Sequence, residues 1–421
     1  MHATIRLLPV GLLAMTFLAA SPQRAEAQAA ESVTVFEGAR LITGDGSSPI
    51  DNATFIVEGT RFTAVGPAGD VSVPDGAERI DLAGMTVIPA LIDTHTHLSR
   101  ERDALVEDLR RRAYFGVGAA LSLGQDTGEA PFEVRDEPIA GAALFRTAGR
   151  GITMPEPGRS DIPYWITSEE EGRAAVRELA EQSVDIVKIW VDDRNGAYDK
   201  LPPELYEPVI DEAHRHDLRV TAHIFDLEDA KGLLRAGVDA FAHGIRDTEV
   251  DDEVVELFEE RPEVVVVPNL ADPGVATDLS WLRGHIPEEQ LRDLQAAATE
   301  RPQAQAAFAI QARNLRRLSE EGVRIALGTD GNTPWGAHLE MADMVTAGMS
   351  PADVIVAATR NSAELLGLDE AGTIEAGKSA DFVVLEADPL EDITNTRRIA
   401  DVYLRGAVID RDAIRASWTS P

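Results

Sequence analysis

Hydrophobic positions along this chain follow two rhythms. Between residues 89 and 371, short apolar runs of strand character alternate with longer stretches of helical period. Candidate strands cover 88–94, 117–123, 142–148, 184–191, 219–224, 238–243, 263–268 and 323–329. Strands in that number with helical segments between them predict an α/β architecture, a closed (β/α)8 TIM barrel of parallel strands. Leu227 to Ala236 is a helix of minimal length between the strands that end at His223 and His243. A helix is also expected over 203–217. Another begins at Ser350-Pro351-Ala352-Asp353, with a capping serine, a proline in the first turn and an acid three residues on. The segment 269–303 reads as the longest irregular connection, a lid candidate after the seventh strand.

The second rhythm lies at the two ends. Val33 to Phe36, Ala53 to Val57 and Arg61 to Val65 alternate or are β-branched, with turn signals at Gly44-Asp45-Gly46 and Pro74-Asp75-Gly76. Asp381 to Leu385 and Ile399 to Ile409 have the same character. One small β-sandwich built from both ends, residues 28–88 and 372–421, therefore flanks a barrel over 89–371. The first residues differ from both. Arg6 precedes an apolar stretch, Leu7 to Ala20, and small residues follow at Ala25-Glu26-Ala27. That stretch is shorter than the roughly 20 residues needed to span a bilayer. It reads as a signal peptide over 1–27, cleaved to give a periplasmic or secreted protein with no stable membrane insertion.

Composition narrows the function. The 421 residues carry a formal charge of −34, which repels nucleic acid. With 44% hydrophobic and 27% charged residues the chain is globular in composition. The absence of cysteine excludes thiol catalysis, sulfur ligands and a lipid-modified cysteine. The expected partner is a small-molecule substrate, and the expected assembly a homo-oligomer.

Four of the nine histidines end candidate strands: His95 and His97, then His223, then His243. Asp330 ends Val-Arg-Ile-Ala-Leu-Gly-Thr-Asp, and Lys188 sits inside Val-Asp-Ile-Val-Lys-Ile-Trp. Residues i and i+2 on a strand share a face, so His95 and His97 can grip one ion, with Asp93 bracing them. The alternative is two surface histidines at a strand end. Burial lowers the pKa of an inward lysine. A neutral Lys188 amine can take up carbon dioxide as a carbamate and bridge two metals. Otherwise Lys188 is a barrel lysine paired with a carboxylate such as Asp330. Asp330 itself can bind metal and take a proton from water, or merely cap a helix. Together the set suits two divalent metals and metal-assisted hydrolysis.

These motifs resemble a known family. Gly84 to Leu98, Gly-Met-Thr-Val-Ile-Pro-Ala-Leu-Ile-Asp-Thr-His-Thr-His-Leu, is similar to the first-strand signature of the amidohydrolase superfamily. Gly372 to Asp381 resembles the C-terminal signature of its imidazolonepropionase-like and Xaa-Pro dipeptidase-like branch. Phe241 to Gly244, Leu327 to Asp330 and Ala357 to Asn361 are similar too. The resemblance implies a metal-dependent hydrolase on a barrel with a split β-sandwich. It places His95, His97 and Asp330 on the more buried metal and His223 and His243 on the second, with Zn2+ as the expected metal and carboxylated Lys188 as the bridge. Two departures stand out. Ala90 replaces the glycine usual after Pro89. After Lys188, relatives with dipeptidase activity continue Ser-Gly-Gly, whereas this chain runs Trp190-Val191-Asp192-Asp193-Arg194.

The expected function is hydrolysis of an amide in a dipeptide or N-acyl amino acid, by a hydroxide bridging two Zn2+ ions with Asp330 as proton shuttle. Alternatives are a cyclic amide, lactone or ester hydrolase on the same site, or a periplasmic metal- or solute-binding protein without catalysis. Arg194, Tyr198, His285 and His338 are expected on loops at the metal face, where they would read the substrate. His214 and His216, on the helix 203–217, are expected to be exposed.

Overall fold

The computed structural model describes residues 33–270 and 273–419. The expected signal peptide, residues 1–27, lies outside them. Residues from both ends of the described chain share one sheet. Strands β1 (Val33–Leu41), β2 (Ile50–Glu58), β3 (Arg61–Pro67), β4 (Glu78–Asp81) and β5 (Thr86–Pro89) come from the first part. Parallel strands follow: β6 (Leu91–Thr96), β7 (Val117–Ser122), β8 (Leu144–Thr147), β9 (Ile152–Thr153), β10 (Tyr164–Trp165), β11 (Val187–Trp190), β12 (Val220–His223), β13 (Ala240–Phe241), β14 (Val265–Val266) and β15 (Arg324–Ile325). Last come β16 (Phe382–Leu385), β17 (Ile399–Leu404) and β18 (Ala407–Val408).

The end sheet runs β18-β17-β16-β5-β1-β2-β3, with β4 beside β1. Aromatic residues at alternate inward positions fill its core: Phe36 stacks on Phe55 at 4.8 Å and Phe382 on Tyr403 at 4.4 Å. Its two chain segments meet closely. A Cβ on Gly406, whose φ is +75°, would lie 2.1 Å from the Gly59 carbonyl oxygen, so only glycine fits.

The parallel strands form two ladders, β6-β7-β8 and β10-β9-β11-β12-β13-β14-β15. The candidate third strand, 142–148, divides in the fold. β8 pairs with β7, the chain then steps aside, and β9 pairs with β11 at Ile189. The step lies against Trp190: a Cβ on Gly151 would sit 2.0 Å from its ring. Backbone hydrogen bonds also join the ladders. Gly151 N donates to Gly124 O at 2.9 Å, and Thr94 N donates to Leu327 O at 2.9 Å.

Helices cover these strands through apolar stripes. In Leu227–Ala236, Leu227, Ala230, Leu233 and Leu234 are buried, and Gly237 ends the helix at φ +98°. Ser350 accepts from Asp353 N, as its capping pattern predicts. The stretch 269–303 is more ordered than its sequence suggests. It holds a short 3-10 turn, Ser280–Leu282, and a helix, Glu288–Ala297. Only Leu291 of that helix is buried, so the apolar stripe that would reveal it is nearly absent. Among the described residues, no helix is long and apolar enough to cross a membrane.

Candidate metal centre

β6 delivers His95 and His97 to one end of the parallel strands, and the turn after β15 delivers Asp330 to the same point. His95 Nε2 lies 3.1 Å from Asp330 Oδ1, and His97 Nε2 lies 3.0 Å from the same oxygen. One donor atom from each of the three falls within 4.8 Å of the others, spacing suited to a metal ion. Asp330 adopts φ +52°, which an aspartate tolerates in a turn, and its N–H donates to His95 O at 2.8 Å. Buried Asp93 braces this corner as expected: it accepts from His95 N at 3.3 Å and from Thr329 Oγ1 at 2.8 Å.

His243 extends the group. Its Nε2 stands 3.8 Å from Asp330 Oδ2, too far for a hydrogen bond, and its ring centre is 5.1 Å from that of His95. The His223 ring centre is 4.3 Å from that of His243. Lys188, on β11, is fully buried, and its Nζ has no hydrogen-bond partner among the described residues. Pairing with Asp330, the alternative for this lysine, is not among its hydrogen bonds or ion pairs; Asp330 acts on it only through charge.

Burial sets the protonation states. It pushes the Lys188 amine down to about 7, against the attraction of Asp330. It pushes His95 down to about 4 and His223 to about 3, and His243 well below its ordinary value. Burial opposes ionisation of Asp330, but the histidines around it prevail and hold its carboxyl far below the usual range. The centre thus presents His95, His223 and His243 as neutral imidazoles, an ionised carboxylate and a partly neutral amine. The Nδ1 atoms of His97 and His243 and the Lys188 Nζ are buried without hydrogen-bond partners. Lone pairs of this kind, beside a carboxylate, fit a divalent cation of zinc type.

The four expected substrate readers are not brought together. His338 lies in the helix Gly336–Ala347, not on a loop, and is buried with Nε2 2.9 Å from Phe115 O and Nδ1 3.1 Å from Thr396 Oγ1. His285 Nδ1 meets the Tyr114 hydroxyl at 2.5 Å within a cluster that also holds Phe115 and Trp418. Tyr198, half-buried, donates to Pro157 O at 3.3 Å. Arg194 does reach the centre, but between Asp192 and Glu156, as described below. His214 and His216 are exposed, as expected, with side-chain exposures of 42% and 38%.

Other contributors were not singled out from sequence. Asn269 Oδ1 meets His95 Nδ1 at 2.8 Å, which leaves Nε2 for the centre. Buried Arg112 donates to Gly331 O at 2.8 Å and to Thr333 O at 3.1 Å, fixing the turn around Asp330. Neither residue carries a sequence signal, since both act through contacts between distant segments. A cavity of about 440 Å³ opens beside His97, lined also by Ser99, Arg100, Gln125 and Asn332. Arg100 makes no hydrogen bond or ion pair among the described residues.

Known proteins are similar to this chain over most of its length. Residues 86–409 fit the family model described as the amidohydrolase family. The chain is 25% identical to the ochratoxinase of Aspergillus niger, over 86% of its own length and 82% of that protein's. It is 28% identical to the imidazolonepropionase of Deinococcus radiodurans, over 85% of its length and 92% of that protein's. The crystal structure of a putative prolidase from Bifidobacterium longum is similar at a TM-score of 0.75 and 27% identity, covering 92% of this chain and 98% of that one.

Proposed function

Since this chain belongs to the amidohydrolase family, as a metal-dependent hydrolase acting on carbon–nitrogen bonds, we propose that it cleaves an amide in a small molecule of the dipeptide or N-acyl amino acid type. It does so with two divalent ions, zinc first among the candidates. One observation carries the reading: an Asp330 carboxylate shared by His95 and His97 with His243 3.8 Å away, beside a buried lysine amine with no partner among the described residues.

His95, His97 and Asp330 would hold one ion, and His223 and His243 the other. A divalent cation held here supplies Lewis acidity, polarising a carbonyl oxygen and acidifying water. Lys188 prepares the bridge. Its neutral amine adds to carbon dioxide: a nitrogen–carbon bond forms as one C=O π bond opens, one proton is released, and a carbamate results whose single negative charge is shared by two oxygens. Asp330 Oδ2, the oxygen turned from His95 and His97 toward His243, accepts a proton from the attacking water and returns it to the departing amine. The buried Trp190 ring, 5.6 Å from Lys188 Nζ, limits water around the amine. Arg100, in the cavity beside His97, suits a substrate carboxylate through charge-assisted hydrogen bonds.

The same reading extends to the whole chain. The two parallel ladders are segments of one closed (β/α)8 barrel over 89–371, which the bonds at Gly151 and Thr94 support. Residues 28–88 and 372–421 make the small composite domain. Residues 1–27 direct export and are removed, so N-terminal sequencing of natively produced protein should begin near Gln28 or Ala30; a chain starting at Met1 contradicts this. Metal analysis with a panel of dipeptides, N-acyl amino acids, lactones and esters tests the rest. Two ions per chain and preference for an amide with a free carboxylate are expected. Preference for lactones or esters would replace the substrate class, and a metal-replete protein without turnover would replace the enzyme reading.

A further inference from the structure

Two charged residues crowd the outer nitrogen of His223. Asp192 follows β11 closely, and Arg194 and Asn195 turn back at φ +55° and +60°. That turn folds the Arg194 guanidinium over Asp192. Arg194 N–H donates to Asp192 Oδ1 at 2.9 Å, and Arg194 Nη1 donates to Asp192 Oδ2 at 2.6 Å. Arg194 Nε donates to Glu156 Oε1 at 3.0 Å, and Glu156 also accepts from Arg159 Nη1 at 2.6 Å. Asp192 and Arg194 side chains are only 13% and 15% exposed. This guanidinium is already committed on two edges.

His223 Nε2 faces both partners. Asp192 Oδ2 is 2.9 Å away and Arg194 Nη1 is 3.1 Å away. Their demands are opposite. A carboxylate accepts, and so requires a proton on Nε2. A guanidinium donates, and so requires a lone pair there. A neutral imidazole has one of each, so the choice at Nε2 fixes the state of Nδ1. The carboxylate is closer, and the guanidinium proton is already satisfied by the same oxygen. His95 shows the mirror arrangement: Asn269 occupies its Nδ1 and leaves Nε2 toward Asp330.

We propose that Asp192 is a positioning residue that fixes His223 as the Nε2–H tautomer and so keeps the Nδ1 lone pair for a metal ion. Arg194 holds Asp192 in place and prevents it from turning away; it does not read the substrate. This rests on the binuclear reading above, but the tautomer itself is a property of the metal-free chain. It also gives a role to the segment after Lys188 that departs from the Ser-Gly-Gly of dipeptidase relatives.

The test uses full-length mature protein labelled with 15N-histidine and freed of metal, with the His223 signals identified by their loss in His223→Gln. In the wild type the protonated nitrogen should be Nε2. In Asp192→Ala, Arg194 is left facing Nε2 and donates to it, so the proton should move to Nδ1. Zn2+ titration against a chromophoric chelator should then show one of two ions bound about 10–100-fold more weakly. Asp192→Ala/Arg194→Ala removes the competing donor and should recover most of that affinity, which loss of mere structural bracing would not do. Arg194→Ala alone retains the carboxylate and should keep Nε2–H, a result readable even if Asp192→Ala fails to fold. Nδ1–H in the wild type or in Arg194→Ala overturns the proposal. So does an Asp192→Ala protein with unchanged tautomer and affinity. A wild type that binds fewer than two ions would instead refute the binuclear reading, while the nitrogen signals still report on Asp192.

Discussion

His243 and His338 are buried almost equally, at 2% and 1% exposure, and burial depresses both imidazoles. They differ in what the protein offers their nitrogens. His338 has Thr396 on one and the Phe115 carbonyl on the other. His243 has no partner at Nδ1 and only a distant carboxylate at Nε2. A buried polar atom without a partner costs stability, roughly 1–3 kcal/mol. A fold that keeps several of them at one point is organised around something that supplies the missing bonds. Burial marks a histidine as structural or functional alike; the unfilled nitrogens separate the two.

The largest effect should come from the carboxylate at the centre of the first group. In metal-replete protein, Asp330→Asn should lower kcat by about 10²–10⁴-fold, the range for losing acid–base assistance. His338→Gln should leave kcat within about threefold. Steady-state kinetics of the two variants side by side decide it, and comparable losses in both would erase the distinction drawn here.

Lys188 sharpens the contrast from another side. Lys188→Ala should reduce bound metal from two ions to one, read by elemental analysis of protein prepared with excess Zn2+ and bicarbonate. Retention of two tightly held ions would show that this amine is not a bridge.

How much of this was legible beforehand follows the range of the interaction. The strand ends, His95, His97, His223, His243 and Asp330, stand out because strand period and motif are local. Lys188 stands out because a charged residue interrupts an apolar run. The partners of these residues are not local. Asn269 reaches His95 across 174 positions, and Arg112 reaches Gly331 across 219. Arg194 looked like a substrate reader because it follows the Lys188 strand on a loop; Glu156, the acid that occupies its Nε, comes from a distant segment and could not be seen beside it. His338 follows the eighth strand closely and so looked near the metal end, but the helix that carries it turns the buried ring to Thr396, a residue of the C-terminal part. The division of the third strand was hidden too, since Gly151 gives no hint of the Trp190 ring it meets.

A moderate effect should appear at His338 in stability. Burial holds its folded pKa at about 3, below the unfolded value near 6.5. The unfolded chain therefore binds the extra proton first as pH falls. This contribution is fully present above pH 6.5 and is lost progressively as pH falls toward 3. Each pH unit in that window costs at most about 1.4 kcal/mol from this one group. His338→Gln should destabilise the protein at pH 7.5 by about 1–3 kcal/mol, through its lost hydrogen bonds. The gap to the wild type should narrow at pH 5. Urea unfolding of metal-free protein at both values measures this, and a gap that widens on acidification would mean His338 is charged in the fold.

The smallest effect is expected at Arg194, and it separates a residue near a substrate from one that reads it. A guanidinium that bound a substrate carboxylate would need free donors facing that group. Arg194 spends its Nε on Glu156 and its Nη1 on Asp192, while Arg100 lines the cavity beside His97 with no ion pair among the described residues. Arg194→Ala should therefore change KM for a C-terminal free acid and for its amide by the same small factor, within about threefold. Arg100→Ala should raise KM for the acid alone, by about tenfold or more, since a hydrogen bond to a charged group contributes about 1.5–3 kcal/mol. The informative quantity is the acid-to-amide ratio of KM, because a general loss of metal or order moves both substrates together. A ratio that changes in Arg194→Ala but not in Arg100→Ala would return the carboxylate to Arg194. It would also require the bonds to Asp192 and Glu156 to open when substrate arrives.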